Sequence, residues 1–321
     1  MNSRLKVLFL VQKDQRVILD SLYDAIAQNC DCDTRWLGRD EQANLKRYFS
    51  RHVQIEKYDR ILFFLRFKQE IRQVAFIRTL PNIVILEHDA YQNYIKCKYA
   101  GLFSKHYRQL PWVRVISSGF KVAERLRAEG VDAVFVAKGY DQNLRDLKLA
   151  RDIELAFVGS TKSVAYSGRK AMLDAIGAVE PLQVMRTNSG DAYLHTLNRI
   201  RFFVSADVGM GEYMIKNFEA MACGCVLLAY DQGEEESRAL GFIDMHNVVL
   251  YRNLDEFRKK LALLRENEQL VNEIACRGKE LVERRFSFDL LGREVVHAMQ
   301  APLRPRFHIG WWQRQRMRWG M

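Results

Sequence analysis

Long uncharged apolar runs are missing from the 321-residue sequence. A membrane-spanning helix needs roughly 18 or more such residues, and the opening Met1-Asn-Ser-Arg-Leu-Lys leads into only five, Val7 to Val11. The sequence therefore predicts neither a signal peptide nor a membrane span. Its six cysteines form no Cys-x-x-Cys pair and no metal-finger spacing with histidine. This pattern excludes a disulfide scaffold and a zinc finger and predicts a reduced, cytoplasmic location.

Proline is scarce as well, at five residues, whereas 48% of the residues are hydrophobic and 28% are charged. That composition excludes a disordered, collagen-like or low-complexity chain, and the length favours two packed domains. The net charge is +11, and such an excess suits a nucleic acid, a membrane surface or an anionic ligand. Five arginines and no acidic residue lie in 301–321, so nearly half of the excess belongs to a short tail.

Short apolar runs that end in polar residues recur along the chain and alternate with segments of helical spacing. Such runs are typical of strands buried on both faces of a parallel sheet. The pattern predicts an α/β protein with two doubly wound layers, the second beginning after a charged stretch at 145–151. We expect domains at 1–144 and 145–300, with a basic aromatic tail at 301–321. The predicted strands are 7–11, 60–65, 82–86, 113–117, 134–137, 155–158, 200–204, 226–230 and 248–251.

The segment from Ser205 to Ala229 is the most informative for function. Gly209 and Gly211 precede a short predicted helix, where the first N–H groups and the helix dipole favour an anion such as a diphosphate. Glu212 and Glu219 are two turns apart, so both carboxylates can share one helix face and accept hydrogen bonds from sugar hydroxyls. Gly224 suits the residue that ends the helix.

The run Asn217-Phe-Glu219-Ala-Met-Ala-Cys-Gly224-Cys-Val-Leu-Leu-Ala resembles the signature of the retaining, GT-B-fold glycosyltransferases of family four and related groups. Lys138-Gly-Tyr-Asp141, Phe157-Val-Gly159 and Arg285-Phe-Ser-Phe-Asp289 resemble further parts of that family in the right order. The resemblance covers 110–295 well and the first hundred residues only in pattern. It implies two facing Rossmann-like domains with a cleft between them, the first binding the acceptor and the second the nucleotide sugar.

In that family the second glutamate of a Glu-x7-Glu pair binds the ribose and the first binds the donor sugar. The resemblance assigns Glu219 to the second position. Glu212 precedes it by seven residues instead of eight, and it is the residue that the resemblance offers for the first position. The alternatives are a solvated helix carboxylate for Glu219 and a partner of the helix dipole for Glu212. Gly159, Gly211 and Asn217 complete the residues expected around the donor.

The family neutralises the leaving diphosphate with an arginine and a lysine that follow the strand ending in glycine. Here Ser160 stands at the arginine position, and Lys162, Arg169 and Lys170 follow at longer spacing. The resemblance implies that these cations bind the diphosphate, with no metal and no further cofactor. The alternative for Arg169 and Lys170 is that both are solvated residues at a helix start.

Glu87-His88-Asp89 follows a predicted strand of the first domain. His88 resembles a histidine that such families place opposite the sugar carbon, and the alternative is a structural histidine. Asp89 can orient the imidazole or act as a base toward the acceptor hydroxyl, and the alternative is a capping aspartate. The first loop, after Val11, lacks the glycines that many relatives have there.

The tail mixes indole rings with arginines, a combination that favours the headgroup region of an anionic membrane. A tail packed on the body, and stacking on single-stranded nucleic acid, are the alternatives. The predicted contact is peripheral, at the inner face of the cytoplasmic membrane. Its residues are Trp311, Trp312, Arg314, Arg316, Arg318 and Trp319.

These observations together predict a cytoplasmic glycosyltransferase that moves a sugar from a nucleotide sugar to a cell-surface glycan or lipid-linked acceptor of lipopolysaccharide type, with retention. One rival is a catalytically impaired, glycosyltransferase-like protein that binds a nucleotide sugar without turning it over. A nucleotide-sugar epimerase of the same fold is another. A nucleic-acid-binding protein is a third, although no nucleic-acid-binding motif is present.

Overall fold

The computed structural model describes residues 4–13 and 19–306. Eleven parallel strands in these residues form two sheets. The first sheet contains β1 (Lys6–Gln12), β2 (Asp31–Leu37), β3 (Arg60–Phe64), β4 (Ile83–Glu87), β5 (Arg114–Ser117) and β6 (Asp132–Phe135). The second contains β7 (Ile153–Val158), β8 (Gln183–Met185), β9 (Ile200–Ser205), β10 (Val226–Tyr230) and β11 (Val249–Tyr251).

Helices cover both faces of the two sheets, as expected when every strand is parallel to its neighbours. In the first half they are α1 (Asp20–Asn29), α2 (Arg39–Ala43), α3 (Leu45–His52), α4 (Phe67–Glu70), α5 (Val74–Ile77), α6 (Leu102–Arg108) and α7 (Phe120–Ala128). In the second half they are α8 (Ser167–Gly177), α9 (Asp191–Arg199), α10 (Ile215–Ala222), α11 (Glu234–Leu240), α12 (Leu254–Glu266), α13 (Glu268–Arg285) and α14 (Phe288–Gln300).

The two sheets repeat one strand order. It is β2-β1-β3-β4-β5-β6 in the first and, read from its other edge, β8-β7-β9-β10-β11 in the second. In each sheet the order reverses beside the first strand, between β1 and β3 and between β7 and β9. Ligands of open α/β sheets bind outside the carboxyl ends of the strands at such a reversal. The expected α/β architecture of two Rossmann-like layers is confirmed.

The apolar runs are the strands, because each is buried on both faces. Val7 to Val11 of β1 are all fully buried, for example. The sequence analysis missed β2 and β8, which are edge strands with exposed side chains. Trp36 on β2 is 43% exposed and Val184 on β8 is 51% exposed, so neither strand has a continuous buried run.

The last helix, α14, returns to the first half of the chain and packs on α1. Two arginines of the first sheet hold its C-terminal carbonyl groups. Arg60 Nε donates to the carbonyl of Met299 at 2.7 Å, and Arg114 donates to the carbonyls of Ala298 at 2.9 Å and Pro302 at 2.8 Å. These bonds satisfy carbonyl groups that a helix end leaves without intrahelical partners. The predicted division at 144/145 lies between β6 and β7 and stays a prediction.

No helix in residues 4–13 and 19–306 is long and apolar enough to cross a membrane.

Gly292 tests the packing of α14 on α1. A Cβ at this position would lie 2.6 Å from Cβ of Ala25 and 2.7 Å from its carbonyl carbon, so the helices meet without room for a methyl group. We expect Gly292→Ala to lower the free energy of unfolding by about 1–3 kcal/mol, although alanine favours a helix interior by about 1 kcal/mol. Chemical denaturation measures this.

Gly177→Ala is the matched control, because nothing lies within 4 Å of the Cβ that it would add. This control should be neutral or slightly stabilising. Equal effects of the two substitutions would contradict the close crossing of α1 and α14.

Candidate active site in the cleft

Glu212 joins the two halves of the chain. It lies in the loop between β9 and α10, and its buried carboxylate accepts a hydrogen bond from Lys138 Nζ and another, at 3.2 Å, from Ser118 Oγ. Both partners follow strands of the first sheet. Burial raises the pKa of Glu212, although the Lys138 ammonium and these hydrogen bonds act in the opposite direction.

Glu219 accepts a hydrogen bond from a different residue, within the second domain. It lies on α10, which begins three residues after Glu212, and its fully buried carboxylate accepts a hydrogen bond from Tyr193 Oη. The alternative of a solvated Glu219 is therefore wrong. Glu212 lies outside the helix and bonds across the cleft, so the structure does not place the two carboxylates on one helix face.

Lys216 belongs to the surroundings of Glu219. Its Nζ donates to Tyr193 Oη at 3.2 Å and lies 4.5 Å from the centroid of the same ring. Burial, followed by the charge of Glu219, raises the pKa of Tyr193 well above its ordinary value. Tyr193 therefore remains a hydrogen-bond donor to Glu219 at physiological pH. The sequence analysis missed both Lys216 and Tyr193.

Arg169 is buried in the second domain. Its Nε and Nη2 donate to one oxygen of Asp207 at 2.8 and 2.5 Å, and Nη1 donates to the carbonyl of Ser160 at 3.1 Å. The ring of Tyr166 lies 4.1 Å from the guanidinium carbon. The alternative of a solvated Arg169 is wrong, because its charge is paired inside the protein.

Unlike Arg169, the two other expected cations are exposed. Lys170 is exposed and pairs with Asp174, one turn along α8, at 2.5 Å. Lys162 is exposed in the loop after β7, where its backbone N–H donates to Ser160 Oγ at 3.4 Å. The structure thus does not gather the three expected cations at one point.

The glycine loop before α10 has the backbone expected of it, with φ of +76° at Gly209 and +74° at Gly211. The N–H of Gly211, however, donates to Gln232 Oε1 at 2.8 Å, so Gln232 already uses that donor. The loop borders a cavity of about 260 Å³ between the halves of the chain. Lys121 and Arg125 of α7 line it from the first half.

Asn217, in the first turn of α10, is fully buried. Within the described part of the chain, neither its side-chain oxygen nor its nitrogen has a hydrogen-bond partner. Gly159 directly follows β7 and lies beside the Lys216 side chain.

His88 follows β4 and lies on the first-domain side of the cleft. Its ring packs edge to face on Phe64, with 5.1 Å between the ring centroids. Burial, and then the charge of Lys138, lower its pKa to about 3. The imidazole is therefore neutral at physiological pH.

Asp89 is exposed, and its side chain makes no capping hydrogen bond to the short helix that follows. Its backbone N–H instead donates to Glu87 Oε1 at 2.7 Å. The capping alternative for Asp89 is wrong. After the larger effect of burial, its charge also contributes to the raised pKa of Glu212.

The residues that sequence analysis missed are those that cross between the domains. Lys138 was noted only as part of a resemblance, and nothing local marks it as the partner of Glu212. Glu236 is a second example. Its buried carboxylate accepts the backbone N–H of Lys121 at 2.8 Å, at the start of α7, while Lys121 Nζ donates to the carbonyl of Gln232 at 3.1 Å.

The predicted tail residues Trp311, Trp312, Arg314, Arg316, Arg318 and Trp319 lie outside the described residues.

Glu236 makes stability depend on pH. Burial raises its pKa from 4.5 to about 7, so the folded protein binds this proton more tightly than the unfolded chain does. Stability is therefore lost as the pH rises from about 4.5 to about 7. Because one pKa unit corresponds to about 1.4 kcal/mol, we expect wild type to lose up to about 3 kcal/mol relative to Glu236→Gln between pH 5 and 8, measured by chemical denaturation.

Glu235→Gln, at an exposed neighbouring position, is the control and should track wild type at every pH. A difference in the free energy of unfolding between wild type and Glu236→Gln that stays constant with pH would refute the raised pKa of Glu236.

A sequence profile of the glycosyl transferase-like family matches residues 142–291. No curated protein sequence matches the chain.

Solved structures match nearly the whole fold. HepE of Anabaena in complex with UDP-glucose has a TM-score of 0.68 at 13% identity, over 92% of this chain and 99% of that one. A glycosyltransferase from Rickettsia africae has a TM-score of 0.65 at 10% identity, over 94% and 98%. Sucrose-phosphate synthase from Thermosynechococcus elongatus has a TM-score of 0.66 at 10% identity, over 92% and 98%.

At these identities the structural matches show only the fold. The profile match covers residues 142–291, which contain the second sheet. The chain has the GT-B fold, and its residues 142–291 match the glycosyl transferase-like family.

Proposed function

We propose that the protein transfers a sugar from a UDP-sugar, with retention, to a glycan or lipid-linked acceptor held by the first domain. One observation carries the proposal: ionisable side chains from the strand ends of both sheets meet in a single cleft. The Glu212–Lys138 pair lies at the centre of that meeting. The choice of uridine rests on HepE, a protein of the same fold whose structures contain UDP and UDP-glucose.

In this proposal the donor lies against the second domain, beside Gly159 and the start of α10. Arg169 and Lys162 border the loop after β7, and Glu219 with Tyr193 forms the wall beside α10. The full burial of Glu219 favours an indirect role, in which it holds Tyr193 in place. No metal enters the proposal, since cationic side chains can offset the charge of a leaving diphosphate.

The first domain supplies the opposite wall. A neutral His88 can exchange a hydrogen bond with a sugar hydroxyl without adding a positive charge near the reacting carbon. Asp89 is exposed at the same strand end, where it can accept a hydrogen bond from the acceptor hydroxyl. Glu212 is held by Lys138 and Ser118, which favours a role in positioning the two domains against the donor sugar.

A lipid-linked acceptor, such as a lipopolysaccharide precursor, is proposed from the composition of the tail. Arg304 and Arg306 donate to the carbonyls of Gly130 at 2.5 Å and Arg78 at 2.9 Å. Both carbonyls lie just before strands of the first sheet, at the edge opposite the cleft. The tail therefore starts on the far side of the first domain, which favours an anchoring role over direct contact with the reacting groups.

Titration with UDP, GDP, ADP and dTDP tests the donor. We expect UDP to bind at least about tenfold more tightly than the others, because base recognition by hydrogen bonds separates nucleotides by 1.4 kcal/mol or more. Glu219→Gln should weaken UDP binding, because loss of the charge weakens the hydrogen bond that holds Tyr193, whereas Lys259→Gln, at an exposed position on α12, should not. Isothermal titration calorimetry measures both.

The same preparation is then given UDP-glucose with and without candidate acceptors, and release of UDP is followed. Tight UDP binding without release under any condition would favour the catalytically impaired binding protein. Absence of binding to all four nucleotides would refute the donor proposal, and formation of a free epimerised sugar nucleotide would favour an epimerase.

Cosedimentation with vesicles tests the tail. We expect the full chain to bind phosphatidylglycerol vesicles and not to bind phosphatidylcholine vesicles. Each basic residue near an anionic surface contributes about 1 kcal/mol, so replacing Arg314, Arg316 and Arg318 together by glutamine should weaken binding at least about tenfold. Equal binding of wild type and variant would contradict an electrostatic anchor, and loss of thermal stability in the variant would indicate a packed tail.

A further inference from the structure

The carboxyl end of β7 is approached by a cation from another element. A Cβ at Gly159, the residue that directly follows this strand, would lie 3.3 Å from Cε of Lys216. The Lys216 side chain therefore passes directly over the strand end. This point borders the reversal of strand order between β7 and β9, where ligands of such sheets bind.

The cations expected there have other surroundings. Ser160 replaces the arginine that the family resemblance implies, Arg169 pairs with Asp207, and Lys170 pairs with Asp174. Lys216 is half-buried, so its ammonium is only partly shielded by water and interacts more strongly with a nearby anion than an exposed lysine does.

The position of Lys216 on its helix also points to an anion. It lies in the first turn of α10, where the helix dipole disfavours a positive charge by roughly 0.3–1 kcal/mol. An anionic ligand at this helix start would be attracted by both the dipole and the ammonium. Tyr193 fixes the ammonium through its hydroxyl oxygen, at 3.2 Å, and Glu219 in turn holds Tyr193.

We propose that Lys216 is the residue that binds the diphosphate of the donor, with Tyr193 and Glu219 as its positioning residues. This inference rests on the proposed function. It assigns the diphosphate to a lysine on α10 and not to a cation in the loop after β7. In the transfer, the bond between the sugar carbon and the diphosphate oxygen breaks and leaves its electron pair on that oxygen. The acceptor oxygen bonds to the sugar carbon and gives its proton to the leaving diphosphate, while Lys216 offsets the negative charge of the diphosphate.

Comparing UDP, UMP and uridine tests this role. Lys216→Gln should weaken UDP binding by about 10- to 100-fold, the usual effect of losing a hydrogen bond to a charged group, and should leave uridine binding unchanged. The loss for UMP should be smaller than for UDP. Raising the salt concentration should reduce the difference in UDP affinity between wild type and Lys216→Gln, because salt screens the attraction between the ammonium and the diphosphate.

Lys216→Arg keeps the positive charge, so its affinity for UDP should be within several-fold of that of wild type. If Lys216→Gln folds poorly, this variant distinguishes a role of the charge from a role of the side chain in packing. Lys259→Gln is the matched control for loss of an exposed lysine. The inference would be overturned if Lys216→Gln weakened the binding of UDP and of uridine equally, or weakened the binding of neither. UDP binding by the wild-type protein would still support the proposed function in that case. A wild-type protein that binds no UDP would overturn both.

Discussion

The ion pair between Glu212 and Lys138 ties the two sheets together across the cleft. Removing both charges from water costs several kcal/mol for each ion, so such a pair persists only when its geometry and its additional hydrogen bonds are good. Ser118 supplies one of those bonds. A shift of either domain would leave a buried charge without its partner, and the pair therefore holds the facing strand ends in one arrangement.

The charges around this pair determine which groups in the cleft are ionised. Lys138 lies close enough to His88 to help keep the imidazole neutral, and its Nζ is 5.5 Å from the ring centroid of Tyr91. The charge of Asp89 acts on Glu212 in the opposite sense and helps to raise the pKa of that carboxyl, after the larger effect of burial. The first-domain wall consequently presents a neutral imidazole beside an exposed carboxylate, which suits hydrogen bonding to sugar hydroxyls.

The sequence predicted the parts of the fold that depend on burial along one segment, and it failed where burial depends on distant residues. Continuous apolar runs indicated the central strands, while the half-exposed edge strands β2 and β8 had no such run. Within the site, Arg169 and Lys170 are adjacent in sequence, yet a helix turns about 100° per residue, so one is buried and the other faces solvent. Glu212 and Lys138 are 74 residues apart, and no local pattern reports that contact.

A missing arginine after β7 need not remove the proposed diphosphate site. A leaving anion responds to the position of a positive charge and to the water around it, and not to the element that carries the charge. The family resemblance places these cations in the loop after β7. The start of α10 reaches the same strand end from the other side of the reversal in strand order, so a lysine on α10 can place its positive charge beside that strand end.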